Sequence, residues 1–193
     1  WGEGGPLQEL LQQDGRPFVG CRASAARLAM DKIATKLAAA AAGVPTAPAG
    51  VLNLGDETSP VGLPAVIKPV HEGSSVGVHI CRDAAQWGAA LAAVRADRRE
   101  HPHRAYMVEQ AVLSARELTV SVLEGEALAP IEIKPAAAFY DYHAKYHSDD
   151  TRYECDPALP AGVRDAIRAF GVTVCRALAV RHLARVDFLL SPS

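Results

Sequence analysis

The feature that most constrains the fold is an apolar run that ends in a lysine and is followed by a turn rich in glycine and serine. Residues 63–69 (LPAVIKP) predict a buried strand that carries Lys68, and a second strand is predicted over residues 76–80. Between them, residues 72–77 (EGSSVG) predict a turn whose backbone N–H groups and hydroxyls can bind a polyphosphate together with Lys68. The alternative is a plain hairpin with a glycine–serine tip, and this stretch alone does not decide between the two.

The composition is that of an ordinary globular protein, and it argues against several classes of function. Of the 193 residues, 49% are hydrophobic, which is enough for a buried core. The formal net charge of -2 predicts no general attraction to nucleic acid or to an anionic membrane, and no apolar run is long enough to span a bilayer. The four cysteines include no CxxC pair, which argues against a zinc site and favours a cytoplasmic location.

Local patterns predict an α+β fold in which strands outnumber helices after residue 105. Helices are predicted over residues 6–14, 31–42, 83–96 and 161–180, with Asp83 as the cap of the third. Strands are predicted over residues 49–54, 63–69, 76–80, 105–110, 117–123, 127–133 and 182–190. Residues 95–104 predict a surface loop, and residues 124–126 (EGE) predict a hairpin turn. We expect residues 187–193 to form a strand without a partner, and the chain to be a segment of a longer protein.

The strand predicted over residues 105–110 ends on two polar residues, which indicates the edge of a site. At Glu109 and Gln110 the strand backbone can pair with an adenine edge, and Glu117 can accept from ribose hydroxyls; the alternative is a strand that leaves the core. Arg185 and Asp187 alternate with apolar residues, so that both project to one face of the last strand. They form either a plain ion pair or a cation beside a metal-ligating carboxylate.

Lys32 and Lys36 lie one helical turn apart, and taken alone they are more typical of a solvated helix face than of a site. The stretch at residues 139–150 is rich in aromatic and charged groups. Its apolar residues show neither the helical nor the strand period, which is typical of a functional or mobile loop.

The order of these features is more specific than any one of them, and it resembles the D-alanine–D-alanine ligases, a family of ATP-grasp enzymes. The matching segments are residues 30–32 (MDK), 67–69 (IKP), 72–77 (EGSSVG), 108–110 (VEQ), 116–120 (RELTV), 139–146 (FYDYHAKY) and 184–187 (ARVD). The resemblance implies two α+β subdomains that grip the nucleotide. It divides the chain into a remnant of an N-terminal substrate domain (1–22), a small subdomain with the phosphate loop (23–110) and the first part of a large subdomain (111–193) with a lid loop at 136–150.

The resemblance also implies an activity. The γ-phosphoryl group of ATP would pass to the carboxylate of one D-alanine, and the amine of a second D-alanine would attack the acyl phosphate, giving D-alanyl-D-alanine for peptidoglycan synthesis in a bacterial cytoplasm. Tyr146 favours an amine as the second nucleophile and leaves D-serine open. A homodimer is a further expectation from the family.

Site residues follow from the same resemblance. Lys32, Lys68 and Lys145 would bind phosphates, and Arg185 would stabilise the tetrahedral intermediate and the transferring phosphoryl group. Ser74 and Tyr146 would latch the lid, and Asp187 would bind magnesium or manganese. The remaining nucleotide contacts implied are Glu72, Ser74, Ser75, Val76, Glu109, Gln110, Val112, Glu117 and Phe139.

Departures from the family pattern keep other interpretations open. The family's first-substrate domain and its further magnesium ligands would lie outside residues 1–193, so we expect the isolated chain to be inactive. Residues 109–117 are one residue longer than expected, with Ser114 and Ala115 where a glycine is usual. The alternatives are another ATP-grasp carboxylate–amine ligase and a non-catalytic nucleotide-binding module. A dinucleotide oxidoreductase fits poorly, because the glycine turn joins two strands and does not open a helix.

Overall fold

A computed structural model describes residues 2–134 and 151–192 and has the predicted α+β class. Over these residues the helices are α1 (Pro6–Gln13), α2 (Ala23–Met30), α3 (Lys32–Ala41), α4 (Ala84–Glu100) and α5 (Val163–Ala177). The strands are β1 (Ala49–Val51), β2 (Ala65–Pro69), β3 (His79–Cys81), β4 (Tyr106–Gln110), β5 (Arg116–Leu123), β6 (Glu126–Ala127), β7 (Ile131–Lys134), β8 (Arg152–Cys155) and β9 (Leu183–Leu190).

The first sheet has the order β1-β4-β2-β3, and all its described pairs are antiparallel. Helix α4 covers one face, where Trp87 and Val94 join Ile67 and Val108 in a buried cluster. Side chains alternate along a strand, so burying Ile67 on this face leaves Lys68 on the opposite one. The sheet therefore presents a lysine on the face away from its own core.

The second sheet is built around β5, with β9 along the whole of one edge. Along the other edge β6 and then β7 pair with β5, and β8 pairs with β7. Helix α5 covers one face through Ile167, which packs on Leu118 and Val120. The opposite face of the same strands carries polar side chains.

Helix α5 also joins this sheet to the N-terminal helices. Val174 and Leu178 pack against Ala39 of α3 and against Val44 just after it, in a cluster separate from the two sheet cores. The helix that carries Lys32 and Lys36 is thereby held against the helix that supports the second sheet.

Most predicted elements are confirmed, since α1, α3, α5, β2, β4, β5 and β9 lie where the sequence indicates them. Asp31 and Asp83 cap α3 and α4 by accepting hydrogen bonds from backbone N–H groups of the first turn. These elements share strong local signals, namely capping residues, helix stops and alternating burial.

Several boundaries were wrong. Helix α4 continues through Glu100, because Asp97 is held by Arg104 and Tyr106, so the loop predicted at residues 95–104 starts later. Strand β3 begins at His79, not at residue 76, because the preceding segment forms a turn. The strand predicted at residues 127–133 is divided into β6 and β7, with Pro130 between them. Strand β1 ends at Val51.

Two elements were missed and one strand was misjudged. Helix α2 has no capping side chain at Arg22, and its first N–H, at Ala23, donates instead to Gln12 Oε1 of α1 at 2.8 Å. Strand β8 is exposed at all four positions, so it has no burial alternation to detect. The last strand does not lack a partner, because β9 pairs with β5 over its full length.

None of the helices within residues 2–134 and 151–192 is long and apolar enough to cross a membrane.

Candidate functional site

A cleft of about 570 Å³ is lined by residues of both sheets. Val66 and Glu109 line it from the first sheet, Glu117 and Asp187 line it from the second, and the 110–115 connection lines it between them. Small-molecule sites in proteins occupy roughly 300–1,000 Å³. The cleft therefore has the size of a site for a small ligand.

A carboxylate held between two lysines forms the polar centre of the first-sheet wall. Val66 lies opposite Glu109 in the β2–β4 register, so Lys68 is the diagonal neighbour of Glu109 on the same face. Lys68 Nζ pairs with Glu109 Oε1, and Lys36 Nζ lies 2.9 Å from Oε2. Burial would raise the pKa of Glu109, but the charges and hydrogen bonds of Lys68 and Lys36 outweigh it and hold the pKa below its usual range. Glu109 is therefore ionised, and the three groups together carry one positive charge.

Lys32 lies beside this cluster at the start of α3. Its Nζ donates to Val70 O at 3.1 Å and also to Glu72 O, at the entrance to the glycine–serine turn. Burial, and next the neighbouring charge of Lys68, lower the pKa of Lys32. The structure thus brings Lys32, Lys36 and Lys68 together from a helix and a strand that are distant in sequence.

The glycine–serine turn has a backbone in which left-handed residues follow one another. Ser74 and Ser75 have φ values of 52° and 59°, and Gly77 has a φ of 67°. Val76 N donates to Gly73 O at 3.1 Å, which closes the turn. A turn of this kind can present successive backbone N–H groups to an anion.

Arg104 anchors this turn, and sequence reasoning missed it. It contacts Glu72 at 3.1 Å and Asp97 at 2.5 Å, while the Tyr106 hydroxyl lies 2.9 Å from Asp97. Burial first, and then the bond to Asp97, raise the pKa of Tyr106 to about 12, so this hydroxyl stays protonated. The Glu72 side chain, predicted to contact nucleotide, is bound to Arg104. No local signal reveals this pair, because its members belong to separate elements.

On the second sheet Arg185 and Asp187 share a face, as predicted. Arg185 Nε lies 3.0 Å from Asp187 Oδ1 and its Nη2 lies 3.2 Å from Oδ2, so the ion pair uses two nitrogen atoms. Thr119, opposite Asp187 in the β5–β9 register, donates to Asp187 Oδ1 at 2.7 Å. Asp187 and Glu117 line the cleft, and the ion pair lies at its second wall.

Asp187 would supply one ligand of a magnesium site. Magnesium takes six oxygen ligands, of which a protein usually supplies one or two carboxylates while substrate phosphates and waters supply the rest. Within residues 2–134 and 151–192 no group of three or more His, Cys, Asp or Glu side chains is placed to hold a metal ion. Asp187 supplies one carboxylate, already engaged by Arg185 and Thr119.

The segment predicted to bind adenine lies along the cleft, but part of its backbone is used by the fold. Gln110 N donates to Pro48 O at 2.9 Å, and Ala111 N donates to Pro64 O at 3.0 Å. Val112 and Ser114 follow on the cleft wall. Phe139, Lys145 and Tyr146 lie outside the described residues, as does the predicted lid loop.

Two antiparallel sheets with a lysine-bearing cleft between them define the ATP-grasp class of fold, and solved ligases of that class superpose on the chain. The D-alanine–D-alanine ligase of Bacillus anthracis aligns over 98% of this chain and 62% of its own, with a TM-score of 0.80 and 29% identity. The same enzyme complexed with ATP aligns over 98% of this chain and 60% of its own, with a TM-score of 0.78 and 25% identity. The VanG D-Ala:D-Ser ligase of Enterococcus faecalis aligns over 99% and 57%, with a TM-score of 0.75 and 25% identity.

Sequence comparison gives the family. The family model described as "D-ala D-ala ligase C-terminus" matches residues 51–193. The D-alanine–D-alanine ligase of Anaeromyxobacter sp. (strain Fw109-5) is 37% identical over 200 residues, covering 100% of this chain and 62% of the relative. The D-alanine–D-alanine ligase of Citrifermentans bemidjiense is 39% identical over 193 residues, covering 99% of this chain and 61% of the relative. The chain belongs to the D-alanine–D-alanine ligase family, and it spans about three fifths of the length of these relatives.

Proposed function

We propose that this chain is the nucleotide-binding part of an ATP-dependent ligase that joins two D-alanines through an acyl phosphate. The observation that carries the proposal is the cleft itself, with Glu109, which pairs with Lys68, on one wall and Asp187, which pairs with Arg185, on the other. Family membership and the B. anthracis ligase complexed with ATP support the same assignment. The product would be D-alanyl-D-alanine, used in peptidoglycan synthesis.

The residues of the chain would act mainly through charge and position. Phosphoryl transfer depends on neutralising the phosphate oxygens and aligning the reacting groups. Lys32 and Lys68 would neutralise the phosphates, and the turn containing Ser74 and Ser75 would cover them. Arg185, on the opposite wall, would stabilise charge on the transferring phosphoryl group and on the tetrahedral intermediate. Magnesium stays a prediction, with Asp187 as one carboxylate ligand and phosphate oxygens and waters as further ligands.

The remaining assignments also stay predictions. They comprise adenine and ribose contacts by Glu109, Gln110, Val112 and Glu117, a lid at residues 136–150 latched through Ser74 and Tyr146, and the subdomain boundaries after residues 22 and 110. A homodimer and a cytoplasmic location belong to the same group.

The test is ADP release with magnesium and ATP, measured with and without D-alanine. It should compare this chain with the protein expressed from its natural start codon to its natural stop codon. We expect turnover that depends on D-alanine from the longer protein and none from residues 1–193 alone. ATP binding by the longer protein without D-alanine-dependent turnover would overturn the ligase proposal and favour a non-catalytic nucleotide-binding module.

A D-serine-using ligase is the second candidate, favoured by the structural similarity to the D-Ala:D-Ser ligase of E. faecalis. The same assay, supplied with D-alanine and D-serine together, discriminates the two by the mass of the dipeptide formed. We expect D-alanyl-D-alanine to dominate. An excess of D-alanyl-D-serine would reassign the second substrate.

A further inference from the structure

Lys36 is the member of the lysine cluster to which the site predictions give no role. Its side chain is only 18% exposed, so it is not the solvated helix lysine that its spacing suggests. Its Nζ lies 2.9 Å from Glu109 Oε2 and 2.6 Å from Thr46 Oγ1. A largely buried ammonium with two oxygen partners is held in one position.

The charges of the cluster indicate what Lys36 does, namely balance the negative charge of Glu109. Glu109 binds Lys68 through one oxygen and Lys36 through the other, and its own side chain is only 16% exposed. Without Lys36, the remaining pair of Lys68 and Glu109 would be neutral. A carboxylate with a single cationic partner would also hold that partner more tightly. A phosphate would then have to compete with Glu109 for Lys68.

We propose that Lys36 is a positioning residue that occupies and neutralises Glu109, so that the charge of Lys68 stays available to the phosphates of a nucleotide. This inference rests on the proposed ATP site and deepens it. Two of the three N–H donors of the Lys36 ammonium are engaged by Glu109 and Thr46. Lys36 also lines the cleft, so the competing explanation is a direct contact with the phosphates, and the test separates the two.

The test measures the Kd for ATP in the presence of magnesium, using the full-length protein and the variant Lys36→Met. We expect Kd to rise about tenfold, the change that corresponds to one charge-assisted hydrogen bond to phosphate. Lys36→Arg keeps the charge beside Glu109 and should stay within about threefold of the unaltered protein. The matched control is Arg99→Met, which removes one positive charge from the exposed last turn of α4 and should leave Kd unchanged. Circular dichroism verifies that each variant is folded, and Lys36→Gln replaces Lys36→Met if the latter is not.

A double variant separates the proposed action from a direct one. In a Glu109→Gln background no carboxylate competes for Lys68, so adding Lys36→Met should change Kd by less than about twofold. A tenfold loss that persists in that background would overturn the inference, because Lys36 would then act on the phosphates directly. Equal affinity of Lys36→Met and the unaltered protein would also overturn it, while leaving the proposed ATP site intact. If the unaltered protein bound no ATP, both proposals would fail together.

Discussion

Arg185 shows how much depends on the shape of a single side chain. Its guanidinium contacts both oxygens of Asp187, and Thr119 holds one of these oxygens from the neighbouring strand. A lysine would keep the charge but lose the planar, two-pronged geometry. The orientation of this cation against Asp187 is therefore a property of arginine and not of positive charge in general.

Arg185→Lys in the full-length protein is expected to lower kcat for D-alanine-dependent ADP release by about a hundredfold, as for the loss of one oriented transition-state donor. The steady-state rate at saturating ATP and D-alanine measures it. Arg176→Lys, on the exposed surface of α5, is the control and should retain full activity. Full activity of Arg185→Lys would remove Arg185 from the proposed chemistry.

Glu132 makes the stability of the fold depend on pH through a contact that lies outside the cleft. Arg116 bonds both carboxylate oxygens, at 2.9 and 2.7 Å, and this bond lowers the pKa of the nearly buried Glu132. A carboxyl whose pKa is lower in the folded state stabilises the fold above its unfolded pKa of 4.5 and loses that contribution as pH falls. The Glu132 contribution is therefore complete at neutral pH and disappears in acid.

Glu132→Gln should lower the free energy of unfolding at pH 7 by about 2 kcal/mol, below the value for a fully buried pair because Arg116 is partly exposed. Urea titrations at pH 7 and at pH values below 4.5 test this. The variant should lose less stability on acidification than the unaltered protein does. Parallel pH profiles for the two proteins would contradict the assignment.

At the scale of elements, the glycine–serine turn is a tight turn that rests on the first sheet. Gly77 has a φ of 67°, and a Cβ at this position would lie 3.0 Å from the Pro69 side chain. Arg104 holds the start of the loop through Glu72. The conformation of the loop is thus set from both ends, and a change at either end should alter how it covers a phosphate.

Gly77→Ala should destabilise the protein by about 1–2 kcal/mol, since an L-residue in the left-handed region is strained, and it should weaken ATP binding. Gly88→Ala is the matched control, because Gly88 lies exposed inside α4 and a Cβ there meets nothing within 4 Å. That control should stabilise by about 0.5–1 kcal/mol and leave ATP binding unchanged. Urea unfolding and ATP titration of both variants give the comparison, and equal effects would show that the turn is not strained.

At the scale of the whole molecule, the contact of α3 with α5 links the lysine cluster to the second sheet. Leu178 is 4% exposed at the end of α5 and packs in the cluster formed with Ala39 and Val174. This apolar contact supports both walls of the cleft, although none of its members lines it.

Leu178→Ala should lower the free energy of unfolding by about 3 kcal/mol through the cavity that it leaves. Leu128→Ala, at a position that is 47% exposed, should change it by less than about 0.5 kcal/mol. Urea titration at neutral pH measures both. A loss of less than about 1 kcal/mol for Leu178→Ala would mean that the contact between the helices is loosely packed.

The sequence by itself determined the elements whose signals are local. Asp83 lies next to the helix that it caps, and alternation along β9 assigns Arg185 and Asp187 to one face before any partner strand is known. A cap or an alternation depends only on neighbours in the chain, so it can be detected without the fold.

Only the tertiary structure decided which of these faces and side chains meet. The strand order β1-β4-β2-β3 differs from chain order, and it is this order that places Glu109 beside Lys68. The pairing of Glu72 with Arg104, the cap that α1 gives to α2 and the burial of Lys36 likewise join separate elements. Such contacts arise from packing between distant segments, for which the local sequence contains no signal.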